Sequence, residues 1–327
     1  MVHTHKNTIN VYASTTSGSG FKHDLMRAFV KGVTSLRHPD WWANLVEGYE
    51  VKDGTHAFCF NYQRIIEKTG RTALEFRRKL IDQFEPQKKI FYFDSNVLVS
   101  YEKTKHHVND SFVRIAYGNV YPDKTNYFNG NPKPDRWNVM KERLGIKVKD
   151  YDVKSGDKIY ICCNRGSGGY SAFGKNAADW SMETVECLRQ FTKRPIAIRL
   201  HSGQGYPTFT DDVARLYEFV KGKTDITIHS PNGDYPNLLE EIKNSYAVVN
   251  YTSTSGSPAI LEGKPLFVTH KSSYLAPMNA GHLSDIEKPN LDLDRDRFLW
   301  GLGESHWTLH DIETSEYFKK FVEGVNE

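Results

Sequence analysis

Five short apolar runs recur at regular spacing in the second half of the 327-residue chain. They are rich in β-branched and aromatic residues and occupy 158–163, 195–200, 225–229, 247–251 and 266–269. Segments of helical period separate them, at 181–191 behind a predicted N-cap at Ser181, at 211–220 and at 235–243. Continuous apolar strands joined by helices predict a parallel sheet covered on both faces, which is a doubly wound α/β domain.

The first half shows the same pattern less clearly. Strands are predicted at 8–12, 57–60 and 89–93. Thr72 and Glu75 form a capping-box pattern that opens a helix, in which Leu74, Ile81 and Phe84 share a face and Arg77, Arg78 and Lys79 point mostly outward. The stretch 121–137 is rich in Asn, Pro and Gly and predicts a long loop, followed by a short helix at 139–144.

Length and pattern together predict the domain organisation. At about 150 residues per domain the chain holds two domains, each large enough for its own core. We expect a first α/β domain at 1–154, a second at 155–306, and at 307–327 an amphipathic helix, starting near Thr308, that packs back on the body.

The composition is that of an ordinary globular chain, with 39% hydrophobic and 25% charged residues. This excludes disordered, coiled-coil and collagen-like classes. No signal peptide and no apolar stretch near the roughly 20 residues of a membrane span is found, so we expect a cytoplasmic protein. Cys59, Cys162, Cys163 and Cys187 form no CxxC pair and are expected to be reduced.

Charge is distributed unequally along the chain. Residues 1–154 contain 25 Lys+Arg and 17 Asp+Glu, a balance of +8, whereas the rest has a balance of −5. A dense basic stretch comprises Arg64, Lys68, Arg71, Arg77, Arg78, Lys79, Lys88 and Lys89. The first half is therefore expected to bind a polyanionic partner, unless these charges form only a solvated surface.

In a doubly wound domain, ligands bind beyond the carboxyl ends of the strands. The glycine-rich segment 164–175 follows the first strand of the second half and contains Arg165, Gly166 and Lys175. Glycines let backbone N–H groups approach an anion, and the two cations supply the countercharge of a diphosphate. A flexible surface loop is the alternative.

A basic pair ends the next strand. Strand alternation turns Arg199 and His201 to one side of the sheet and Leu200 to the other. Such a pair suits a phosphate or a leaving group, although a core histidine bonded to backbone would also account for His201.

The fourth strand leads into a run of four hydroxyl side chains, Thr252, Ser253, Thr254 and Ser255, before Gly256 and Ser257. Ser257 with Pro258 is predicted to start a helix, with Ser257 as N-cap. Free N–H groups at such a start favour an anion. Capping alone accounts for Ser257 but not for the preceding hydroxyls.

These features of 158–270 resemble the donor-binding domain of GT-B glycosyltransferases, in particular the lineage of capsule-polysaccharide transferases. The resemblance implies two Rossmann-like doubly wound domains facing a cleft, with the turn and helix holding the phosphates and ribose of a nucleotide sugar. A UDP-sugar donor is expected, and no metal. The family often has a ribose-binding Glu where this chain has Ala259, so Glu262 or another loop would take that role.

The first half would then bind the acceptor, and an inverting enzyme needs a base near the acceptor hydroxyl. Asp94, at the end of a strand, is the first candidate, although it also suits a turn. Ser19, Gly20, His23 and Asp24 lie in or after a glycine-rich turn and are the other candidates for acceptor binding.

This resemblance does not identify the acceptor. Phage glycosyltransferases that modify hydroxymethylated pyrimidines in DNA share the architecture, and the basic first half favours them; in that case the protein acts in a host cytoplasm. A polysaccharide acceptor and a non-catalytic nucleotide- or sugar-binding module are the alternatives.

Two other motifs are incomplete. Residues 169–176 nearly match a P-loop, but Asn176 replaces the Ser or Thr that ligates Mg²⁺, which leaves a P-loop kinase or NTPase as a remote alternative. The run from Asp292 to Asp296 resembles a calcium loop or a DxD motif, yet it lacks the required Gly and Glu, and helix capping accounts for it better.

Overall fold

The computed structural model describes residues 5–15, 20–60, 72–101, 111–118, 132–164, 175–201, 209–271 and 273–325. The strands are β1 (Asn7–Tyr12), β2 (Trp41–Val46), β3 (His56–Phe60), β4 (Ile90–Ser95), β5 (Phe112–Tyr117), β6 (Lys158–Cys162), β7 (Ile196–Arg199), β8 (Ile226–His229), β9 (Ser245–Asn250), β10 (Leu266–Val268) and β11 (His306–Thr308). The helices are α1 (Gly20–Ser35), α2 (Thr72–Phe84), α3 (Pro134–Leu144), α4 (Ala177–Arg189), α5 (Phe209–Val220), α6 (Leu238–Lys243), α7 (Ser257–Leu261), α8 (Arg295–Ser305), α9 (Leu309–Glu313) and α10 (Glu316–Val325).

The chain divides into two compact units, one of Met1–Leu144 with Leu299–Glu327 and the other of Gly145–Phe298. The predicted boundary after residue 154 lies later than this division. Residues just after Leu144 belong to the second unit because their backbone pairs with it: Lys149 N–H donates to Leu261 O and Asp152 N–H to Gly263 O, both at 2.8 Å.

The second unit contains a five-stranded, fully parallel sheet of order β10-β9-β6-β7-β8. All five strands predicted there are confirmed. One face is apolar and packs on α4 and α5 through residues such as Ile161, Ile198 and Val249. The other face carries buried or half-buried polar side chains toward its carboxyl edge, namely Tyr160, Arg199, His229 and Asn250. The sheet is therefore not apolar on both faces.

The first unit contains a six-stranded sheet of order β11-β5-β4-β3-β1-β2. Strands β2, β1, β3 and β4 are parallel, whereas β5 and β11 are antiparallel to their neighbours. The three strands predicted in this half are confirmed, and β2, β5 and helix α1 were not predicted. Both units are Rossmann-like α/β units, and the predicted fold class is confirmed.

Each face of this sheet packs against its own hydrophobic core. On one side α1, α9 and α10 pack through Phe29, Ile312 and Phe321. On the other side α2 packs through Phe76, Leu80 and Ile81. Helix α3 begins at Pro134, earlier than the predicted 139, and buries Trp137.

The segment from Thr308 onward differs from the single helix predicted there. It contains the end of β11 and two helices, because Ser315 between them adopts φ +71° and interrupts helical hydrogen bonding. Thr308 caps α9 together with Asp311 in a capping box. The Ser315 hydroxyl donates to Gly32 O of α1 at 2.7 Å, which fixes the break against α1.

We expect the first unit to lose stability between pH 6.5 and pH 4 because of two buried histidines. Burial lowers the pKa of His306 to about 3, and burial with nearby Lys89 lowers that of His56 to about 4. Below pH 6.5 the unfolded chain protonates both imidazoles while the folded chain does not, so acid favours unfolding. Each histidine lowers the free energy of unfolding by up to about 2 kcal/mol at pH 5. Urea midpoints measured from pH 7.5 to 5 would test this, and an equally steep slope in His56→Gln would contradict the assignment to His56.

Candidate functional site

The strand order of the second unit identifies its ligand crevice. Strand β6 lies centrally, with β7 and β8 on one side and β9 and β10 on the other. The chain therefore changes direction between β6 and β9, and in open parallel sheets the crevice beyond the carboxyl ends at such a switch point is the usual ligand site.

A reciprocal pair of hydrogen bonds joins the two segments that follow β6 and β9. Asn164 Nδ2 donates to Thr252 Oγ1 at 2.7 Å, and the Thr252 backbone N–H donates to Asn164 Oδ1 at 3.1 Å. Asn164 is 8% exposed. This pair fixes the position of both segments at the mouth of the crevice. Thr252 belongs to the predicted run of hydroxyl residues, whereas Asn164 was not predicted as a site residue.

The hydroxyl-rich turn follows directly. Ser253 accepts the Ser255 N–H at 3.2 Å and so caps a 3-10 turn, Thr254–Gly256. Cys162 Sγ of β6 contacts Ser255 O at 3.7 Å, which holds the turn over the end of β6. Thr254 is exposed and Ser255 half-buried, so both residues are accessible to solvent at this end of the sheet.

Ser257 does not have the predicted capping role. It is the first residue of α7, the cap position is taken by Gly256, and no side chain caps the helix. The Ser257 hydroxyl instead hydrogen-bonds the Tyr274 hydroxyl, and Ser257 is buried. Gly256 packs closely on Asn250, since a Cβ there would lie 2.9 Å from Asn250 Cγ.

Arg199 reaches the polar face of the sheet from the end of β7. Its Nη1 donates to Pro236 O at 2.7 Å and to Tyr160 Oη at 3.2 Å. The guanidinium lies 3.8 Å from the Tyr235 ring centroid, in a cation–π contact. These contacts fix a positive charge near the carboxyl edge without a carboxylate partner among the described contacts.

The other predicted donor-binding residues are dispersed. Arg165 and Gly166 lie outside the described residues. Lys175 Nζ contacts both carboxylate oxygens of Glu183, at 2.7 and 2.5 Å, on an exposed surface. His201 is half-buried, directly after Leu200, whose N–H continues the ladder to His229 O at 3.0 Å.

Glu262 lies at the other end of α7 from the hydroxyl-rich turn. Its carboxylate is 5% exposed and forms an ion pair with Lys149 Nζ at 2.5 Å. The following Lys264 Nζ donates to Ser155 Oγ at 2.6 Å, just before β6 begins. Glu262 is therefore near the amino edge of the sheet, and the structure does not bring it together with the turn.

An aromatic cluster at the carboxyl edge was missed by the sequence analysis. Trp180 Nε1 donates to Thr269 Oγ1 at 2.9 Å, and the Tyr251 ring lies 5.6 Å from Trp180 and 4.8 Å from His270. Burial lowers the pKa of His270. A signal was available, because Thr269 ends the fifth apolar run and His270 directly follows it.

A cavity of about 740 Å³ adjoins this cluster along β10. Thr269, His270 and Lys271 line it together with His282 and Phe191. Its volume is within the range of small-molecule sites. None of the predicted donor-binding residues that the structure describes lines it.

Asn250, the last residue of β9, has a buried side-chain amide. It is fully buried, and neither amide atom has a hydrogen-bond partner. An unsatisfied amide costs about 1–3 kcal/mol, so we expect Asn250→Leu to leave the melting temperature unchanged or higher. The paired amide of Asn164 provides the control, since Asn164→Leu should lower stability by about 2 kcal/mol. Thermal unfolding distinguishes the two, and equal losses would contradict the expectation.

In the first unit, Asp94 ends β4 beside Arg114 of β5. Asp94 Oδ1 accepts the Ser95 N–H at 2.7 Å, and Oδ2 lies 3.7 Å from Arg114 Nη2. The Asp94 side chain is 30% exposed, so it is partly accessible to solvent. The turn-like contact with Ser95 is present, and the side chain is not fully buried.

The remaining predicted acceptor residues lie at the start of α1. Gly20 is its first residue, and His23 and Asp24 follow within the first turns. Asp24 is exposed and contacts Arg27 at 3.6 Å, whereas His23 is half-buried. Ser19 lies outside the described residues.

Two incomplete motifs have structural roles. Asn176 is the N-cap of α4 and accepts the Asp179 N–H at 2.8 Å, so the predicted cap at Ser181 is wrong; Ser181 is buried within α4. Asp294 accepts the Arg297 N–H at 3.1 Å at the start of α8, which confirms capping. Within the described ranges, no three His, Cys, Asp or Glu residues are grouped as metal ligands, and no helix is long and apolar enough to cross a bilayer.

Comparison with known proteins gives similarity of structure only. No family model matches the sequence, and no curated protein matches it significantly. A solved structure of KpsC from Thermosulfurimonas dismutans, a beta Kdo 2,7 transferase, is similar over 96% of this chain and 99% of its own, with 11% identity and a TM-score of 0.49. HepE from Anabaena, in complex with UDP and glucose, is similar over 98% and 99%, with 9% identity and a TM-score of 0.37. A solved structure of a glycosyltransferase from Rickettsia africae is similar over 98% of this chain and 99% of its own, with 12% identity and a TM-score of 0.36.

Proposed function

We propose that this protein is a glycosyltransferase that moves a sugar from a nucleotide-sugar donor to an acceptor hydroxyl. The observation that carries the proposal is the convergence of the Asn164–Thr252 pair and the Thr254–Gly256 turn at the switch point of the second unit. A rigid, hydroxyl-rich mouth on a Rossmann-like sheet suits a nucleotide diphosphate.

Arg199 supplies positive charge for the donor diphosphate in this proposal. As the bond between the sugar and the diphosphate breaks, negative charge grows on the phosphate oxygens, and a preorganised cation nearby lowers the barrier. Thr254 and Ser255 would donate hydrogen bonds to the same phosphates. His201 assists the leaving phosphate, and Arg165 and Gly166 complete the donor site. Lys175 joins it on release from Glu183.

Asp94 is proposed as the base in the first unit. Its Oδ2, which lies 3.7 Å from Arg114 Nη2, takes the proton of the acceptor hydroxyl while the hydroxyl oxygen bonds to the anomeric carbon. The bond from this carbon to the donor phosphate breaks, and the nucleoside diphosphate leaves with the electron pair. This single displacement inverts the anomeric configuration. Gly20, His23 and Asp24 would orient the acceptor.

For the acceptor we propose hydroxymethylated pyrimidine in DNA, with the protein acting in the cytoplasm of a phage-infected cell. The +8 charge balance of residues 1–154 supports a polyanionic acceptor. A capsule-type polysaccharide is the second candidate, supported by the sequence resemblance to that transferase lineage.

Thermal unfolding with UDP, GDP, CDP, CMP and ATP, each with and without Mg²⁺, tests the donor site. A ligand at 100 times its Kd adds about 2.7 kcal/mol, a shift of several degrees. A metal-independent rise with one diphosphate or with CMP supports the proposal, and UDP is the expected ligand. A rise only with ATP and Mg²⁺ would contradict it and favour a P-loop enzyme.

The matching sugar nucleotide is then incubated with hydroxymethylated duplex DNA, unmodified DNA and acidic polysaccharide. Sugar transfer to the hydroxymethylated duplex alone supports the DNA acceptor, and transfer to polysaccharide alone replaces it. Donor binding without transfer to any of these, unchanged in Asp94→Asn, would indicate a non-catalytic binding module.

A further inference from the structure

Arg77 carries a buried positive charge in the first unit. The sequence pattern predicts that Arg77, Arg78 and Lys79 point mostly outward, but only 6% of Arg77 is exposed, because α2 turns it toward the end of β3. Its guanidinium carbon lies 5.4 Å from the Phe60 ring centroid, and its Nε is buried without a hydrogen-bond partner among the described residues. No ion pair of Arg77 occurs among the described residues.

A second cation lies on the same ring. Lys22 of α1 is half-buried, and its Nζ is 3.9 Å from the Phe60 ring centroid. Burial and the charge of Arg77 lower the pKa of Lys22, and burial also lowers that of Arg77. Two cations on one aromatic ring repel each other, so the site attracts an anion.

The anionic groups of the protein compensate this charge only in part. Asp94 acts on both cations from a distance but contacts Arg114 at 3.7 Å. The neighbouring Cys59 stays a neutral thiol at pH 7, since burial raises its pKa to about 12. Positive charge therefore remains in excess around Phe60.

Arg136 shows how the same unit neutralises a comparable arginine. Its guanidinium lies 3.9 Å from the Trp307 ring, the same type of contact that Arg77 makes. Arg136 also donates to Asp311 at 2.9 Å and to His306 O at 3.1 Å, although its Nε, like that of Arg77, is buried without a hydrogen-bond partner among the described residues. A buried guanidinium is normally paired with a carboxylate in this way, so the absence of an ion pair of Arg77 among the described residues indicates that its charge binds a ligand.

The position in the sheet agrees with ligand binding. Strand β1 lies between β2 and β3, so the parallel strands of this unit change direction between β1 and β3. The Phe60 N–H at the end of β3 donates to Thr15 Oγ1 after β1 at 3.2 Å, which joins the two strand ends. Lys22 and Arg77 lie on the helices that follow these strands, at the switch point.

We propose that Lys22, Arg77 and the ring of Phe60 form an anion subsite that binds one phosphate group. That this phosphate belongs to the acceptor rests on the proposed function, whereas the binding of phosphate does not. The phosphate can come from a nucleic acid backbone or from a small phosphate ester, and binding measurements distinguish the two sources.

The experiment compares Arg77→Gln and Lys22→Gln with matched controls in the full chain. Arg78→Gln changes the adjacent exposed residue of α2, which contacts Asp82, and Arg27→Gln changes an exposed residue of α1. Lys89→Gln changes a second basic cavity of about 460 Å³ at the amino edge of the same sheet. Inorganic phosphate is titrated by ³¹P NMR, and an unmodified labelled DNA duplex by fluorescence anisotropy.

We expect each of Arg77→Gln and Lys22→Gln to weaken phosphate binding at least tenfold, with the three controls unchanged. If the same two variants also bind the DNA duplex more weakly, the bound phosphate comes from a nucleic acid backbone. If they lose phosphate binding but bind the duplex as the wild type does, it comes from a small phosphate ester. Unchanged phosphate affinity in Lys22→Gln, or a loss confined to Lys89→Gln, overturns the proposal. UDP-induced stabilisation is measured in every variant; it should stay as in the wild type, and its absence throughout would count against the donor site alone.

Discussion

Replacing Arg199 with leucine should lower kcat/KM for the donor sugar about 100- to 1,000-fold. A preorganised cation that stabilises charge growing in the transition state is expected to contribute this much. Tyr160, Pro236 O and the Tyr235 ring hold the Arg199 guanidinium in one position, so its charge is preorganised. Initial rates over a range of donor concentrations, followed by release of the nucleoside diphosphate, measure the change.

Arg194 is the matched control at the opposite end of the same strand. It precedes β7, lies 3.6 Å from the Tyr246 ring and contacts Glu287 at 3.0 Å. Arg194→Leu removes a stacked arginine of the same unit but leaves the carboxyl edge intact. We expect it to change stability and not kcat/KM. Equal kinetic losses in both variants would show that Arg199 acts only through folding.

Replacing Gly263 with alanine should destabilise the second unit by about 2–5 kcal/mol. Gly263 has φ +69°, a left-handed conformation that costs a side chain about 1–2 kcal/mol, and a Cβ would lie 1.9 Å from Asp150 O. That oxygen belongs to backbone that is itself paired with Gly263 O through Asp152, so overpacking adds about 1–3 kcal/mol. Urea unfolding followed by circular dichroism measures the loss.

Gly222 separates the steric part of this effect from the conformational part. It has a similar φ of +77°, but a Cβ there would meet nothing within 4 Å. We therefore expect Gly222→Ala to cost only about 1–2 kcal/mol. A loss at Gly263 no larger than the loss at Gly222 would show that the segment 149–152 moves aside at little cost.

The strands of the second unit could be predicted because each is a continuous buried run that carries its own signal. Strands β2 and β11 could not. Strand β2 is half exposed, with Trp42 39% exposed, and β11 has three residues whose partner β5 lies far away in the sequence. Their strand conformation depends on pairing, which a local pattern does not contain.

The candidate site was predictable as a location and less so as a set of contacts. Apolar strands ending in polar residues indicate the carboxyl edge, and Arg199 and Ser253–Gly256 lie there. The Asn164–Thr252 pair depends on β6 and β9 being neighbours, which only the strand order establishes. Ser257 failed as a cap because Tyr274 takes its hydroxyl, a contact between residues that local sequence rules do not connect.

The position of Arg77 also depends on a tertiary contact that the local sequence does not predict. Helical periodicity assigns it to the outside of α2 because most charged residues are solvated. Its inward position results from the Phe60 ring at the end of β3, a tertiary contact. The residue that departs most from the pattern is the one for which a ligand role is proposed, as expected where function opposes local preference.

The discontinuous first unit has a consequence for the order of events during synthesis. The ribosome completes residues 1–144 well before β11, α9 and α10, which supply Trp307, Ile312 and Phe321 to the same core. Until then the nascent sheet lacks its last strand, and Phe29, Trp41 and Phe91 lack their final neighbours. The second unit is continuous and can fold first. A released chain cut short after Phe298 should therefore contain a folded second unit and an aggregation-prone, protease-sensitive first one.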